Sequence, residues 1–290
     1  MERIVFCNGR FVPEDQARVS VFDRGFLFGD AVYEVVAVLG GAMIDNDLHM
    51  ARLERSLEAL NIQMPMPRAQ IEAVQAELIA RNAMTEGTVY LQVSRGEADR
   101  DFLYSPDLTP TLIAFTQARK LAATKGQTEG VAVDLAPDPR WARRDIKTTM
   151  LLGQVMAKAE ARARHFDDVW LVGDDGFVTE GASSTAFIVT PEGRIRTRAN
   201  SQAILPGCTR RALLRLCEEK SVSIEERPFT PEEAKAAAEA FLTSSSAFVT
   251  PVIRIGDAKI GDGRPGPLTR RLQTLYLDTA FGRSHYAAAF

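Results

Sequence analysis

The pair Asn8-Gly9, set between the strand-like segments Ile4–Cys7 and Arg10–Val12, is the strongest short-range turn signal in the chain, and it obliges the fold to begin as an antiparallel hairpin. A sheet begins there. Residues 32–39, ending at Gly40-Gly41, read as a further strand, and VYLQVSRG at 89–96 alternates cleanly, with Val89, Leu91 and Val93 on one face and Tyr90, Gln92 and Ser94 on the other. Residues 111–116 supply another strand. Between these lie two helical patterns. The first covers 47–61, with Leu48, Leu53, Leu57 and Leu60 on one stripe and Asp47 as cap; the second covers 68–82, entered through Pro65 and Pro67 and burying Ile71, Val74, Leu78 and Ile79. These elements lie before a domain boundary placed at the polar stretch that follows residue 118.

Residues 119–130 have the composition of a linker, and residues 131–290 read as a larger second domain of mixed α and β elements. A strand at 131–136 leads to Lys147 and a helix running to Arg164, with Thr148 as its cap and Leu151, Leu152, Val155, Met156 and Ala159 as a buried stripe. Short strands over 168–189 form a meander. Next come a helix capped by Thr209, a helix opened by Thr230-Pro231-Glu232-Glu233, a strand over 240–253, a glycine-rich hairpin at 255–263 and a closing helix at 267–281.

Composition narrows the function. Hydrophobic residues at 46% and charged residues at 25% fit a globular chain with ample core, and a net charge of -3 gives no footprint for nucleic acid. Cys7, Cys208 and Cys217 form no C-x-x-C pair, and His49, His165 and His285 are scattered, so neither a disulfide framework nor a metal site is expected. The opening residues lack a basic-then-apolar leader pattern, and no run long enough to span a membrane occurs, so a cytoplasmic location is expected.

The chain has only seven lysines, and six of them sit in polar surroundings. Lys147 differs. It stands at a strand-to-helix junction near Arg140, Arg143 and Arg144, where an amine is either tuned for Schiff-base chemistry or ion-paired with Asp145. Arg52 is either a solvated or ion-paired arginine or a phosphate ligand. Glu180 is either a surface acid or a buried carboxylate with a cationic partner. The helix start in ILPGCTRRALL offers N–H groups to an anion, the run Thr243-Ser244-Ser245-Ser246 offers hydroxyls, and the loop EADRDFLYSPDLTP exposes Arg100, Phe102 and Tyr104 for substrate contact.

Seven stretches in order, DRGFLFGDAVYEVV, the arginine of HMARLERS, VYLQVSRG, DIKTTMLLGQVMAKAEA, TEGASSTAFIV, ILPGCTRRALL and FLTSSSAFVTPVI, resemble the class IV (fold type IV) aminotransferases, and within them the D-amino-acid aminotransferases. The resemblance covers residues 3–280. It implies pyridoxal 5'-phosphate as cofactor, a small N-terminal α/β domain over residues 1–118, a larger C-terminal pseudo-barrel α/β domain over residues 131–290, and a homodimer with the cofactor in the cleft between domains. By the same resemblance Lys147 forms the internal aldimine, Glu180 pairs with the pyridine nitrogen, and Leu205 packs on the ring. Arg52, Cys208, Thr209, Ser244 and Ser245 hold the phosphate. Tyr33 and Arg100 meet the substrate, while Arg140 and Asp168 support the site. Phe102 stands where the family pattern has a histidine, which makes the expected pocket more apolar. A D-amino acid and a 2-oxo acid are the implied partners, with a branched-chain L-amino-acid or (R)-amine transaminase, or an aminodeoxychorismate-type lyase, as alternatives.

Overall fold

In the computed structural model, which describes residues 2–281, Asn8 and Gly9 both take positive φ, 45° and 86°, and close a hairpin between β1 (Ile4–Cys7) and β2 (Arg10–Pro13). This is the turn that matches the natural twist of two strands, and it requires left-handed backbone at both positions. The chain divides into two units, Met1–Leu121 with Ile146–Met150, and Ala122–Asp145 with Leu151–Phe290.

The first unit is an antiparallel six-stranded sheet in the order β2-β1-β6-β5-β3-β4, where β3 is Ala31–Leu39, β4 Ala42–Met43, β5 Glu86–Ser94 and β6 Thr111–Ala118. Its helices are α1 (Arg24–Phe28), α2 (Asn46–Ala59) and α3 (Arg68–Arg81). The expected alternation holds from Val89 to Val93: Val89, Leu91 and Val93 are buried, while Tyr90 and Gln92 are half-buried; Ser94 departs from it, buried with its hydroxyl donating to Asp23 Oδ2 at 2.7 Å. The apolar stretch before β3 holds the short helix α1, capped by the Asp23 side chain and closed by Gly29 in left-handed conformation. Asp47 is a first-turn acid of α2 rather than its cap; Asp45 occupies the cap position. Leu60 lies beyond the last turn and is half-buried.

β4 pairs only with Val38 and Leu39, so the rest of that edge of β3 is open to another partner. Residues 146–150 fill it. The Tyr33 N–H donates to the Lys147 carbonyl at 3.0 Å, the Thr149 N–H donates to the Ala31 carbonyl at 3.0 Å, and Val32 bridges Thr148. Thr148 therefore does not cap the following helix. Backbone pairing claims it instead.

In the second unit, the part of the 119–130 stretch from Ala122 on contains the helix α4 (Lys125–Glu129), started by a capping box of Thr124 and Gln127. A nine-stranded mixed sheet follows, in the order β12-β11-β10-β13-β14-β7-β8-β9 with β15 on β14. The strands are β7 (Val131–Pro137), β8 (Asp168–Val172), β9 (Val178–Gly181), β10 (Thr185–Val189), β11 (Ile195–Thr197), β12 (Ile224–Glu226), β13 (Glu239–Ser244), β14 (Phe248–Ile255) and β15 (Ala258–Lys259). Helices α5 (Leu152–Ala163), α6 (Cys208–Glu219), α7 (Pro231–Lys235) and α8 (Pro267–Phe281) complete it. One core gathers Val133, Trp170, Val178, Ile188, Phe229 and Val252. The class is mixed α/β, as expected.

Three expectations are corrected here. Residues 240–253 are two antiparallel strands, not one, because the Ser245–Ala247 segment turns the chain. Thr209 sits in the first turn of α6, and Gly207 is the N-cap. In α5 the pattern is inverted: Ala157 and Ala161 are buried, while Leu152, Val155 and Met156 are 72%, 60% and 53% exposed. Small residues let α5 lie close on β8, and the large apolar face points away from its own unit.

Candidate active site

In the first unit, the pairing of residues 146–150 with β3 sets Lys147 beside Tyr33, with Nζ 4.1 Å from the ring centroid. Tyr33 stacks on Tyr90 at 5.6 Å, and Tyr90 on Phe115 at 4.8 Å, so the ring next to the lysine is held by a row of aromatics across three strands. Burial pushes the Tyr90 phenol well above its ordinary range. The arginines near Lys147 in sequence are engaged by carboxylates: Arg140 by Asp138 and Glu180, Arg143 by Asp145, and Arg144 by Asp138 at 3.0 Å.

Arg52, on α2, is buried at 6% exposure and forked onto Glu34 of β3, with Nε donating to Oε1 at 2.8 Å and Nη2 to Oε2 at 2.7 Å. His49, one turn earlier, meets Glu34 Oε2 at 2.6 Å. Burial opposes the charge on Glu34, but Arg52 and His49 outweigh it and hold the carboxyl at about 2. The pairing fixes the direction of the guanidinium. On the loop after β5, Phe102 is 77% exposed, and Arg100 is exposed with its guanidinium 5.6 Å from the Phe28 ring.

In the second unit, Glu180 lies in β9 with every neighbour on its strand buried. Its Oε1 accepts from Arg140 Nη1 at 2.5 Å and from the Leu205 N–H at 3.0 Å. Oε2 accepts no hydrogen bond among the described residues. Burial pushes the Glu180 carboxyl up, with Arg140 opposing. Arg140 is itself fixed by Asp138, at 2.9 Å through Nε and 2.7 Å through Nη2, and Thr179 donates to Asp138 at 2.8 Å. Although burial works against the charge, Asp138 and Glu180 hold Arg140 above even the usual arginine range. Asp168 belongs to a different contact, with Lys158 Nζ at 3.3 Å and the Ser184 hydroxyl at 3.3 Å.

Also in this unit, α6 starts at Gly207, where an added Cβ would come within 2.9 Å of Thr185 Oγ1. The N–H groups of Cys208, Thr209 and Arg210 meet no acceptor among the described residues. Thr243 pairs in register with Thr185, and its buried hydroxyl has no hydrogen-bond partner among the described residues. Ser244 accepts the Ala247 N–H at 3.1 Å and shapes the turn that contains Ser245.

Sequence reasoning overlooked Glu34, His49 and Asp138. The first had a readable signal, a carboxylate in the middle of an apolar strand, since such a group demands a cation. Asp138 follows directly on the last residue of β7 and looks like a turn acid.

Pyridoxal phosphate asks a protein for an amine, a carboxylate at its ring nitrogen and donors for its phosphate. The residues present fit it. Lys147 in the first unit would supply the amine, and in the second unit Glu180 Oε2 would be an acceptor and the α6 start with the Thr243 hydroxyl would offer donors to an anion.

A family model described as Amino-transferase class IV matches residues 31–255. The chain is 39% identical over 270 residues to a D-alanine aminotransferase of Bacillus licheniformis, covering 93% of this chain and 94% of that protein. It is 35% identical over 277 residues to a D-alanine aminotransferase of Staphylococcus aureus (strain N315), covering 94% and 96%. The solved branched-chain amino acid aminotransferase of Escherichia coli superposes with a TM-score of 0.91 at 21% identity, over 97% of this chain and 96% of that one, a likeness of fold. With the model spanning most of its length and such relatives covering nearly all of it, the chain belongs to the class IV aminotransferases.

Proposed function

We propose that this enzyme transfers the amino group of a D-amino acid, of the D-alanine or D-glutamate type, to a 2-oxo acid such as 2-oxoglutarate or pyruvate. The observation that carries the reading is Lys147, set by backbone pairing against β3 beside Tyr33, in a chain 39% identical to a D-alanine aminotransferase. Pyridoxal phosphate, when bound, supplies an aldehyde for the amine and a ring that accepts the electrons released at the donor's Cα.

The roles of the chain's own residues follow from their chemistry. Lys147 Nζ would hold the cofactor covalently and, once the donor has displaced it, would move a proton from the donor's Cα to the cofactor's C4′ carbon, and from C4′ to the oxo acid's carbon in the return half of the cycle. Glu180, steadied by Arg140, keeps a proton on the ring nitrogen. Arg52, the N–H groups of Cys208 and Thr209, and the Ser244 and Ser245 hydroxyls hold the phosphate, and Leu205 packs on the ring. Tyr33 and Arg100 receive the donor, Arg100 through its carboxylate, and Phe102 makes that end of the pocket apolar. Asp168 steadies Lys158 and Ser184 at the edge of α5.

The proposal includes a homodimer acting in the cytoplasm. Phe26 at 74% and Val21 at 66% exposure are apolar surface that a second copy would cover, and all three cysteines are free. Among the described residues no helix is long and apolar enough to cross a membrane.

Separate half-reactions with D-alanine, L-leucine and (R)-phenylethylamine, followed by the cofactor's absorbance, test the donor. Faster conversion by D-alanine supports the reading. Preference for L-leucine or the amine would replace it, and pyruvate formed from aminodeoxychorismate without a 2-oxo acid would make the enzyme a lyase.

A further inference from the structure

Two arginines of the first unit, Arg24 and Arg95, are buried at 3% and 6% exposure and share one carboxylate, Asp30. Arg24 Nε donates to Oδ2 at 3.0 Å, while Arg95 donates to Oδ2 at 2.7 Å through Nε and to Oδ1 at 3.0 Å through Nη2. One negative charge does not balance two. The remaining donors must find acceptors, because a buried guanidinium N–H without a partner is costly.

They find carbonyl oxygens. Arg95 reaches Leu60 at 2.8 Å and Asn61 at 3.0 Å, beyond the last turn of α2. Arg24 reaches Asp101 at 2.6 Å and Phe102 at 3.5 Å, in the loop that carries Arg100. Aromatic faces complete the enclosure: the Tyr104 ring lies 3.6 Å from the Arg95 guanidinium carbon, and the Phe28 ring 4.6 Å from that of Arg24. Meanwhile Phe102 and Leu103 are 77% and 82% exposed, so their side chains contribute little to holding the loop.

We propose that Arg24, anchored by Asp30 and Arg95, is a positioning residue for donor recognition: it staples the main chain of the loop and so fixes where Arg100 and Phe102 stand. This rests on the reading that Arg100 meets the donor's carboxylate. Because the staple grips carbonyls, side chains at 100 and 102 can change while the loop keeps its place. Loss of Arg24 displaces both at once.

The test compares Arg24→Met, Tyr104→Ala and Arg100→Met as purified holoenzymes. Arg24→Met should raise KM for D-alanine by about tenfold or more, leave kcat within about threefold, and lower the preference for D- over L-alanine. Apoenzyme affinity for pyridoxal phosphate should stay unchanged. Tyr104→Ala should give the same pattern in smaller measure, and it decides the matter where Arg24→Met does not fold. Unchanged KM and enantiomer preference, or a parallel loss of cofactor affinity, overturns the staple. Should Arg100→Met raise KM while Arg24→Met does not, the staple alone fails; should Arg100→Met leave KM unchanged, the donor reading fails.

Discussion

Tyr33 donates its backbone N–H to the carbonyl of Lys147 at 3.0 Å, and the amine of that lysine lies 4.1 Å from the centre of the same tyrosine's ring. Main chain and side chain are thus fixed against one neighbour, which limits the directions the amine can take. For a group that must bond covalently to a ligand, such restriction lowers the entropy lost on reaction.

Lys147→Ala should therefore abolish turnover, with a loss on the order of 10³-fold or more. Borohydride reduction followed by intact-mass measurement checks the cause. Wild-type protein should gain a pyridoxyl adduct, and the variant should not.

Glu34 governs acid stability. Its folded value of about 2 lies below the ordinary 4.5, so its contribution is fully present above about 4.5 and is lost as pH falls toward 2. A shift of that size corresponds to roughly 3 kcal/mol. Urea midpoints measured from pH 6 to pH 3 should fall more steeply for wild type than for Glu34→Gln, which itself should be less stable at pH 7 because Arg52 loses its counter-charge.

Removing the guanidinium that Asp138 and Glu180 share leaves Asp138 with Arg144 alone and takes the cation from the buried Glu180. Arg140→Met should cost about 3–5 kcal/mol. Adding Asp138→Asn should return part of the loss, and a double-mutant cycle in urea denaturation measures how much. Full additivity would show that the two residues do not act as a unit.

Phe26→Asp places a charge on an apolar side chain that is 74% exposed in the single chain. If a second copy covers that surface, the charge should shift the protein toward monomer at micromolar concentration while its far-ultraviolet dichroism stays native. Sedimentation equilibrium distinguishes the outcomes. A variant as dimeric as wild type would place the interface elsewhere.

The elements legible in the sequence were those written locally. Asn8-Gly9 named its own turn, Val89 to Ser94 displayed their own alternation, and the α3 stripe its own period. What was missed depends on distant partners. Thr148 looked like a cap because the strand that claims it, around Val32, lies more than a hundred residues earlier in the chain. The stripe of Leu152, Val155 and Met156 was read correctly as apolar and wrongly as buried in its own unit, since periodicity records that a face wants covering without saying by what. Arg52 and Arg140 stand out as charges, but Glu34, which holds the first, is 18 residues away, and of the two carboxylates on the second only Asp138 is near in sequence, Glu180 being 40 residues on.

The residues that bear the lysine, Ile146–Met150, belong to the first unit although the chain on both sides of them belongs to the second. During synthesis, the exposed edge of β3 therefore waits for a segment made more than a hundred residues later, and the first unit is incomplete when Leu121 leaves the ribosome. A fragment cut at the boundary between units would have a sheet with one edge bare and would lack Lys147. On the role proposed for Lys147, a nascent chain gains the amine for its cofactor only once the 26 residues from Ala122 to Lys147 have followed.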